Sequence, residues 1–256
     1  MSFDALDPGI LLPALAAGLL VTATHVPLGM QVLERGIVFI DLAVAQIAGV
    51  GVILADYLGW EPTGIAVQVA AFTAALACAL LLTLSEKRWP QVQEAVIGVV
   101  FVFGSNAAIL LLARNPHGAE HLKDLLVGQI LWVNPGRLAP VALAYAVVLA
   151  LWFGLRERLG RIGFYALFAC TVTISVQLVG LYLVFATLVV PALATFYSRR
   201  RRFLKAYLVG VLGYALGLLA SLLADLPSGS MIVCAMVIIG AATALLGERA
   251  RVSRIA

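Results

Sequence analysis

The chain has 256 residues, of which 63% are hydrophobic and 12% are charged, and it carries a net charge of +4. Soluble domains carry about 25% charged residues, so this composition excludes a water-soluble protein and predicts that lipid covers most of the surface. No polar stretch is long enough for a soluble domain, and no basic patch is typical of nucleic-acid binding, so we expect one membrane domain over residues 1–256.

Nine apolar runs follow in chain order, each near the length of about 20 residues with which a helix crosses a membrane. The runs are Gly9–Gly29, Ile37–Leu58, Thr63–Leu84, Val92–Ala113, Leu138–Leu155, Ile162–Val179, Leu181–Tyr197, Phe203–Ala224 and Met231–Gly247. They predict an all-α polytopic integral membrane protein of about nine transmembrane helices. Asp4 and Asp7 stand where a cleaved signal peptide needs basic residues, so we expect the first run to be retained.

The span count depends on Gly180, which alone separates the sixth run from the short seventh run. Reading the two runs as one helix gives eight spans. With nine spans and the N-terminus outside, all of the 17 basic residues except Arg114, Lys123 and Arg137 fall on the inner face. Because basic loops stay in the cytoplasm, we expect nine spans with the N-terminus outside and the C-terminus inside.

Several polar residues lie within the predicted spans, where an ionisable group is costly and marks a candidate functional site. Asp41 is either an acid stabilised by the helix dipole and Arg35 or part of a translocation path. His25 and Gln46 lie ten residues before and eleven residues after Arg35, so both lie roughly 15 Å from the inner surface. They are candidates either for an interhelical hydrogen bond or for transient metal contacts.

Other polar and sulfur-containing residues have simpler interpretations. We expect Asn106 and Gln177 to form interhelical hydrogen bonds. The three cysteines, Cys78, Cys170 and Cys234, each lie in an apolar run and indicate neither disulfides nor a zinc site.

The predicted outer loop 114–137 contains His117, Glu120 and His121. Two histidines four residues apart share a helix face at a spacing that suits zinc, so one interpretation is a metal-collecting site at the outer mouth. The alternative is a solvated loop, which Pro116 and Gly118 favour.

No nucleotide-binding motif is present, since no Gly is followed by Lys anywhere in the chain. Four stretches appear instead in a characteristic order: Glu94–Gly98, Leu126–Leu131, Gly180–Ala192 with a basic turn after it, and Asp225–Val233. Together they resemble the ABC-3 family, the membrane permeases of zinc- and manganese-importing ABC transporters.

The resemblance implies a homodimeric permease in a bacterial inner membrane that is not itself an enzyme. A separate ATP-binding subunit would hydrolyse ATP on the inner face, an extracytoplasmic metal-binding protein would dock outside, and this chain would bind no cofactor. Alternating access would then move the metal. The residues expected to couple the permease to the ATPase are Pro191, Arg199, Arg200, Arg201, Arg202 and Lys205.

The chain departs from the family pattern at two places. The cytoplasmic segment that relatives carry after the fifth span is missing, and the Asp and His that they carry four residues apart on the second span align with Leu42 and Gln46. Asp41 lies one residue early and would point about 140° away from Gln46 on a regular helix. Rival interpretations are an ATP-independent transporter or channel, an intramembrane enzyme, for which no span carries a motif, and a membrane scaffold.

Overall fold

The computed structural model describes residues 8–60, 64–112, 130–198 and 201–252. Within these ranges the regular structure is helical, with no strand. The helices are α1 (Pro8–Arg35), α2 (Ile40–Tyr57), α3 (Ile65–Arg88), α4 (Gln93–Leu112), α5 (Pro135–Leu155), α6 (Gly160–Val179), α7 (Leu181–Ala194), α8 (Arg202–Ala224) and α9 (Ser228–Val252). Short 3-10 turns occupy Pro90–Val92 and Ile130–Trp132.

Eight of these helices are long and apolar enough to cross a membrane, which confirms the polytopic all-α fold. The exception is α7, whose 14 residues extend only about 21 Å, less than the roughly 30 Å of a hydrocarbon core. The predicted shortness of the seventh run is therefore confirmed.

Two glycines divide the second half of the chain. Gly180 separates α6 from α7 with a φ of 87°, a conformation that residues with a Cβ rarely adopt, so the two runs are separate helices as predicted. Gly160 separates α5 from α6 with a φ of 56°. The ring centroids of Trp152 and Phe164 lie 5.8 Å apart across this residue, whereas twelve residues of straight helix span about 18 Å. The chain therefore folds back at Gly160.

The first helix is longer than its apolar run. It continues from Gly29 to Arg35 through a more polar last turn and contains Pro27 in its interior. An apolar run marks only the part of a helix that lipid can contact. The backbone hydrogen bonds of α1 continue beyond that part, so the end of α1 predicted at Gly29 was too early. The seventh run is shorter as a helix than predicted, because Thr195–Tyr197 form a turn.

The chain forms two compact units. The first comprises the described parts of residues 1–35, 127–145 and 178–256, and it contains α1, α7, α8 and α9. The second comprises the described parts of residues 36–126 and 146–177, and it contains α2, α3, α4 and α6 with the end of α5.

In the first unit, α1 and α8 run antiparallel. Their contacts join Gly18 to Tyr214, Gly210 to Thr22, Tyr207 to Ala23 and Arg202 to Glu34. The helices α7 and α9 also run antiparallel to α8. Thr187 contacts Tyr214 and Phe196, just after α7, contacts Arg202. On α9, Ile232 lies against Gly217 and Met236 against Gly213. The ends of α1, α7 and α9 therefore meet the start of α8 at one end of the unit, which we call the basic end of the first unit. The basic residues there are Arg35, Arg201, Arg202, Lys205, Arg249 and Arg251.

In the second unit, α2 and α4 run parallel. Their contacts join Phe39 to Glu94, Ile47 to Gly104 and Ile53 to Ala108. Gln93 at the start of α4 donates hydrogen bonds to the Leu82 carbonyl near the end of α3, at 3.0 Å, and to the Tyr165 hydroxyl near the start of α6, at 3.4 Å. The starts of α2, α4 and α6 and the end of α3 therefore share one end. This basic end of the second unit carries Lys87, Arg88, Arg158 and Arg161.

Candidate functional site

His25 lies on α1 in the first unit and has no solvent exposure. Its Nδ1 lies 2.9 Å from the Val21 carbonyl oxygen, one turn earlier on the same helix. A carbonyl can only accept, so Nδ1 carries the proton and Nε2 carries the lone pair. Within the described ranges Nε2 has no hydrogen-bond partner. Metal-binding histidines commonly donate their second ring N–H to a carbonyl in this way, so the imidazole is oriented as a ligand would be.

Asp41 is the second residue of α2 in the second unit and has no solvent exposure. Neither carboxylate oxygen has a hydrogen-bond partner among the residues that the structure describes. An isolated charge in such a place costs several kcal/mol, roughly, unless a cation or a proton compensates it. The first turn of α2 supplies a favourable helix dipole. The residue before the helix is Phe39, whose own side chain makes no capping hydrogen bond. The Asp41 carboxylate is therefore buried without a compensating side chain among the described residues.

Gln46 is nearly buried on α2 and packs toward α4. A Cβ atom placed on Gly104 would lie 3.1 Å from its Cγ, so the amide stem fills the space that this glycine leaves open. Because α2 is regular from Ile40 to Tyr57, Asp41 and Gln46 point about 140° apart, as the sequence predicts. These two side chains do not form the pair of ligands that an Asp and a His four residues apart would form.

The residues that the structure describes form no complete metal centre. Across residues 8–60, 64–112, 130–198 and 201–252, no three His, Cys, Asp or Glu side chains are grouped so that they could hold an ion. His25 belongs to the first unit, and Asp41 and Gln46 belong to the second. The proposed outer-mouth residues His117, Glu120 and His121 lie outside the described residues. The described chain offers only single nitrogen and oxygen donors at these positions.

Glu94 is a residue whose role the sequence did not reveal. Its Oε1 accepts a hydrogen bond of 3.3 Å from the backbone N–H of Phe39, so a side chain of α4 caps the start of α2. Its Oε2 is buried and has no partner in the described part of the chain. A second carboxylate thus stands close to the helix turn that carries Asp41. An acid inside the first turn of a membrane helix was the signal available in the sequence.

The predicted coupling residues differ in what they contact. Pro191 is buried within α7 and is therefore not part of the surface of the turn. Its carbonyl accepts a 2.8 Å hydrogen bond from the Thr195 hydroxyl at the start of the turn. Arg202 forms a 2.8 Å ion pair with Glu34 and lies 5.6 Å above the Phe196 ring. Both contacts hold the start of α8 to its own unit.

The remaining coupling residues lie around the turn itself. Arg201 is exposed and lies immediately before α8 in the left-handed conformation, with a φ of 55°. Lys205 Nζ lies 3.4 Å from the Ser198 hydroxyl. Arg199 and Arg200 lie outside the described residues. Of the two arginines of the turn that the structure describes, Arg201 is the exposed one.

Comparisons with known proteins agree on one family. The sequence profile of the ABC 3 transport family matches residues 9–246. A membrane protein of Chlamydia trachomatis, named for a metal transport system, is 24% identical over 91% of this chain and 87% of its own length. The Yersinia pestis chelated iron transport system membrane protein YfeD is 28% identical over 72% of this chain and 67% of its own length.

Two solved structures have the same fold. PsaBC from Streptococcus pneumoniae, solved with a Fab, aligns with a TM-score of 0.75 at 18% identity over 95% of each chain. A metal-chelate type ABC transporter in an inward-facing conformation aligns with a TM-score of 0.57 at 14% identity, over 100% of this chain and 90% of its own.

Proposed function

Because the chain belongs to the ABC 3 transport family, we propose that it is the permease subunit of an ATP-driven importer of a divalent metal ion, zinc or manganese. The observation that carries the choice of a cation is Asp41, a fully buried carboxylate without a hydrogen-bond partner in the described chain. The relatives named for metal and chelated iron transport support the same class of cargo.

In this proposal the permease works with other chains. It carries no nucleotide-binding motif, so a separate subunit binds and hydrolyses ATP, and a metal-binding protein delivers the cargo from outside. The basic ends of the two units would face the cytoplasm of a bacterial cell, because basic residues are retained on that side. The start of α1 lies opposite the end of α9 in the first unit, which supports an N-terminus outside and a C-terminus inside.

In the metal path, Asp41 and His25 would each contact the ion separately and would not form one shared site. A divalent ion must shed water to cross, and the Asp41 carboxylate and the His25 Nε2 lone pair would each replace part of its hydration shell. The absence of a three-ligand group among the described residues suits this role, since a transported ion must leave each site that it enters.

A chelated metal is the second candidate cargo. The similarity to YfeD and the displacement of the usual Asp and His pair both favour it. A chelate keeps its own ligands and therefore needs fewer donors from the protein. An ATP-independent transporter remains the rival mechanism.

The test is uptake into proteoliposomes that contain the permease together with its ATP-binding subunit. We expect ATP-dependent uptake of zinc or manganese ions that falls when Asp41→Asn is introduced. Uptake of a ferric chelate alone, unaffected by Asp41→Asn, would select the second cargo. Uptake that continues without ATP would overturn the assignment to an ABC importer.

A further inference from the structure

One exposed face of α3 is apolar along the span and basic where the helix ends. The basic residues are Lys87 and Arg88, the last two residues of the helix, and both are exposed. Four apolar side chains, 40% to 56% exposed, share the face with them: Leu76, Leu80, Leu81 and Leu84. At about 100° of rotation per residue, all six side chains fall within an arc of roughly 140°. We call this set the α3 strip.

The two ends of the α3 strip lie at different depths. The helix is an apolar span from Ile65 to Arg88, and Trp89, which follows it, is 58% exposed. Tryptophan is enriched at the membrane–water interface, so Lys87 and Arg88 lie at the level of the lipid headgroups. Leu76 is twelve residues, or about 18 Å, from Arg88 along the helix. The leucines of the strip therefore lie at hydrocarbon depth.

Lys87 and Arg88 have no anionic partner among the residues that the structure describes. Glu86 precedes them on α3, but its Oε1 lies 3.8 Å from Nε of Arg161 at the start of α6. Asn106, which is exposed on α4, differs because its Nδ2 donates to a carbonyl of its own helix, at 2.8 Å, and not to another helix as the sequence predicts. Within the described chain, the two cations of the α3 strip are left to pair with an anion from outside.

Buried hydrogen bonds hold a further cation at the same end of the second unit. The Gln93 side chain, which is 4% exposed, accepts a 2.8 Å hydrogen bond from the Ser85 hydroxyl near the end of α3. It also donates to the Tyr165 hydroxyl near the start of α6. Arg158, exposed in the turn at Gly160 that leads into α6, is thereby held at the end where the α3 strip is basic. The positive charge is therefore fixed in place before any ligand arrives.

We infer that the α3 strip binds an anionic phospholipid of the inner leaflet, with its phosphate at Lys87 and Arg88 and its acyl chains along the leucines. The planar Arg88 guanidinium can donate two parallel hydrogen bonds to a phosphate, and the Lys87 ammonium adds a point charge. Basic clusters at the cytoplasmic ends of membrane helices recognise anionic headgroups in this way. The inference goes beyond the proposed function and takes from it only the cytoplasmic position of the basic ends.

The leucines distinguish a lipid from other sources of an anion. An acidic surface of the ATP-binding subunit could pair with Lys87 and Arg88, but it could not reach Leu76 and Leu80 at hydrocarbon depth. A free phosphate ion would leave these leucines uncovered as well. A phospholipid joins an anionic group to hydrocarbon chains and so matches both parts of the α3 strip.

The test measures lipid binding to the purified full chain by native mass spectrometry, in titrations with phosphatidylglycerol and with phosphatidylcholine. We expect the anionic lipid to bind more tightly. Arg88→Gln should weaken its binding by roughly fivefold, the effect of one basic residue near an anionic headgroup, and should leave phosphatidylcholine binding unchanged. Arg88→Lys keeps the charge and should lose less.

Arg137→Gln is the matched control. Arg137 is also exposed, it follows the exposed Trp132 by five residues, and it lies at the opposite end of α5 from the turn at Gly160. The same change of charge there should leave phosphatidylglycerol binding unchanged. Thermal midpoints are measured on the same preparations, so that unfolding of a variant is not mistaken for lost binding.

A competition measurement separates the headgroup from the acyl chains. Glycerophosphoglycerol, the same headgroup without chains, and inorganic phosphate should not displace bound phosphatidylglycerol at equal concentration, because neither covers the leucines.

Three outcomes would overturn the inference. The first is equal affinity for the two lipids, and the second is equal loss of binding in Arg88→Gln and Arg137→Gln. The third is displacement of the lipid by inorganic phosphate or by the added ATP-binding subunit, which would assign the cations to that anion. Metal uptake plays no part in these measurements, so their failure leaves the proposed function intact, and failure of metal uptake leaves lipid binding intact.

Discussion

The two buried donors, Asp41 and His25, present the same problem for the stability of the protein. Each keeps a polar atom away from water with no hydrogen-bond partner in the described chain. A group of this kind lowers stability and persists when another state or ligand uses it. If the fold required these two side chains, replacing them would lower stability. If they act only in transport, replacing them with less polar residues should be neutral or stabilising.

For Asp41 we expect a split between stability and function. Asp41→Asn should lower metal uptake by roughly tenfold or more, the scale of a lost metal ligand, while the thermal midpoint in detergent stays the same or rises. Uptake and thermal unfolding are measured on the same preparation. Asp56→Asn, the same change at a partly exposed position on the same helix, serves as the control and should leave uptake intact. Normal uptake by Asp41→Asn would remove this carboxylate from the path.

For His25 the tautomer predicts which substitutions fail. His25→Ala removes the Nε2 lone pair and should lower uptake. Thr22→Val should not, because Thr22 is equally buried three residues earlier in α1 and its hydroxyl donates to the Gly18 carbonyl of its own helix. Zinc and manganese uptake by the two variants at equal protein level is the measurement. Equal impairment of both would indicate that the packing of this turn, and not the imidazole, matters.

At the scale of helices, small residues decide how closely α1 and α7 pack. A Cβ atom on Gly29 would collide with the Leu188 carbonyl oxygen of α7, and backbone cannot move aside as a flexible side chain can. The short α7 is thereby held against α1 along its length.

We therefore expect Gly29→Ala to destabilise the protein by about 1–3 kcal/mol, the usual cost of overpacking. Gly154→Ala on α5 is the matched control, because a Cβ atom there meets nothing within 4 Å. That variant should be neutral or slightly stabilising, since alanine favours helix. Thermal unfolding in detergent compares the two, and equal midpoints would contradict the close α1–α7 contact.

The turn between α7 and α8 divides its arginines between two roles. Arg202 is held by Glu34 and Phe196, whereas Arg201 is exposed. We expect the double reversal Arg200→Glu with Arg201→Glu to uncouple ATP hydrolysis from transport while the permease stays folded. ATP hydrolysis and metal uptake are measured together in proteoliposomes.

The contrast is Arg202→Glu, which should mainly lower stability, by at most about 1 kcal/mol, because its ion pair is partly exposed. Restoration of that loss by adding Glu34→Arg would confirm the pair. Unchanged transport in the Arg200 and Arg201 double reversal would argue against this turn as the ATPase contact.

At the scale of the whole molecule, each unit by itself has one basic end. In the first unit the ends of α1, α7 and α9 share it, and in the second the turn at Gly160 and the end of α3 share it. A membrane protein with this distribution should have both basic ends in the cytoplasm.

Labelling in intact cells tests that orientation. A single cysteine at position 201 should be protected from a membrane-impermeant thiol reagent, and one at position 120 should react. Permeabilised cells provide the control, because both positions should then be labelled. The reverse pattern would refute nine spans with the N-terminus outside.

The sequence by itself determined the fold class, the division into apolar runs and the family. Spans of about 20 apolar residues can be recognised in a sequence because the bilayer imposes one length and one solvent on each of them. The ordered stretches around Glu94, Gly180 and Asp225 supported the resemblance that the family profile confirms. The break between α6 and α7 at Gly180 could also be recognised, since glycine readily adopts a positive φ.

Only the tertiary structure decided what the polar side chains contact. It revealed the cap that Glu94 places on α2, the ion pair that withdraws Arg202 from the turn, and the position of Asn106 on an exposed face. These facts depend on the rotation of each helix about its axis and on its neighbours. In a chain that is apolar almost all round, hydrophobic periodicity does not determine that rotation, so close packing at a few glycines determines it instead.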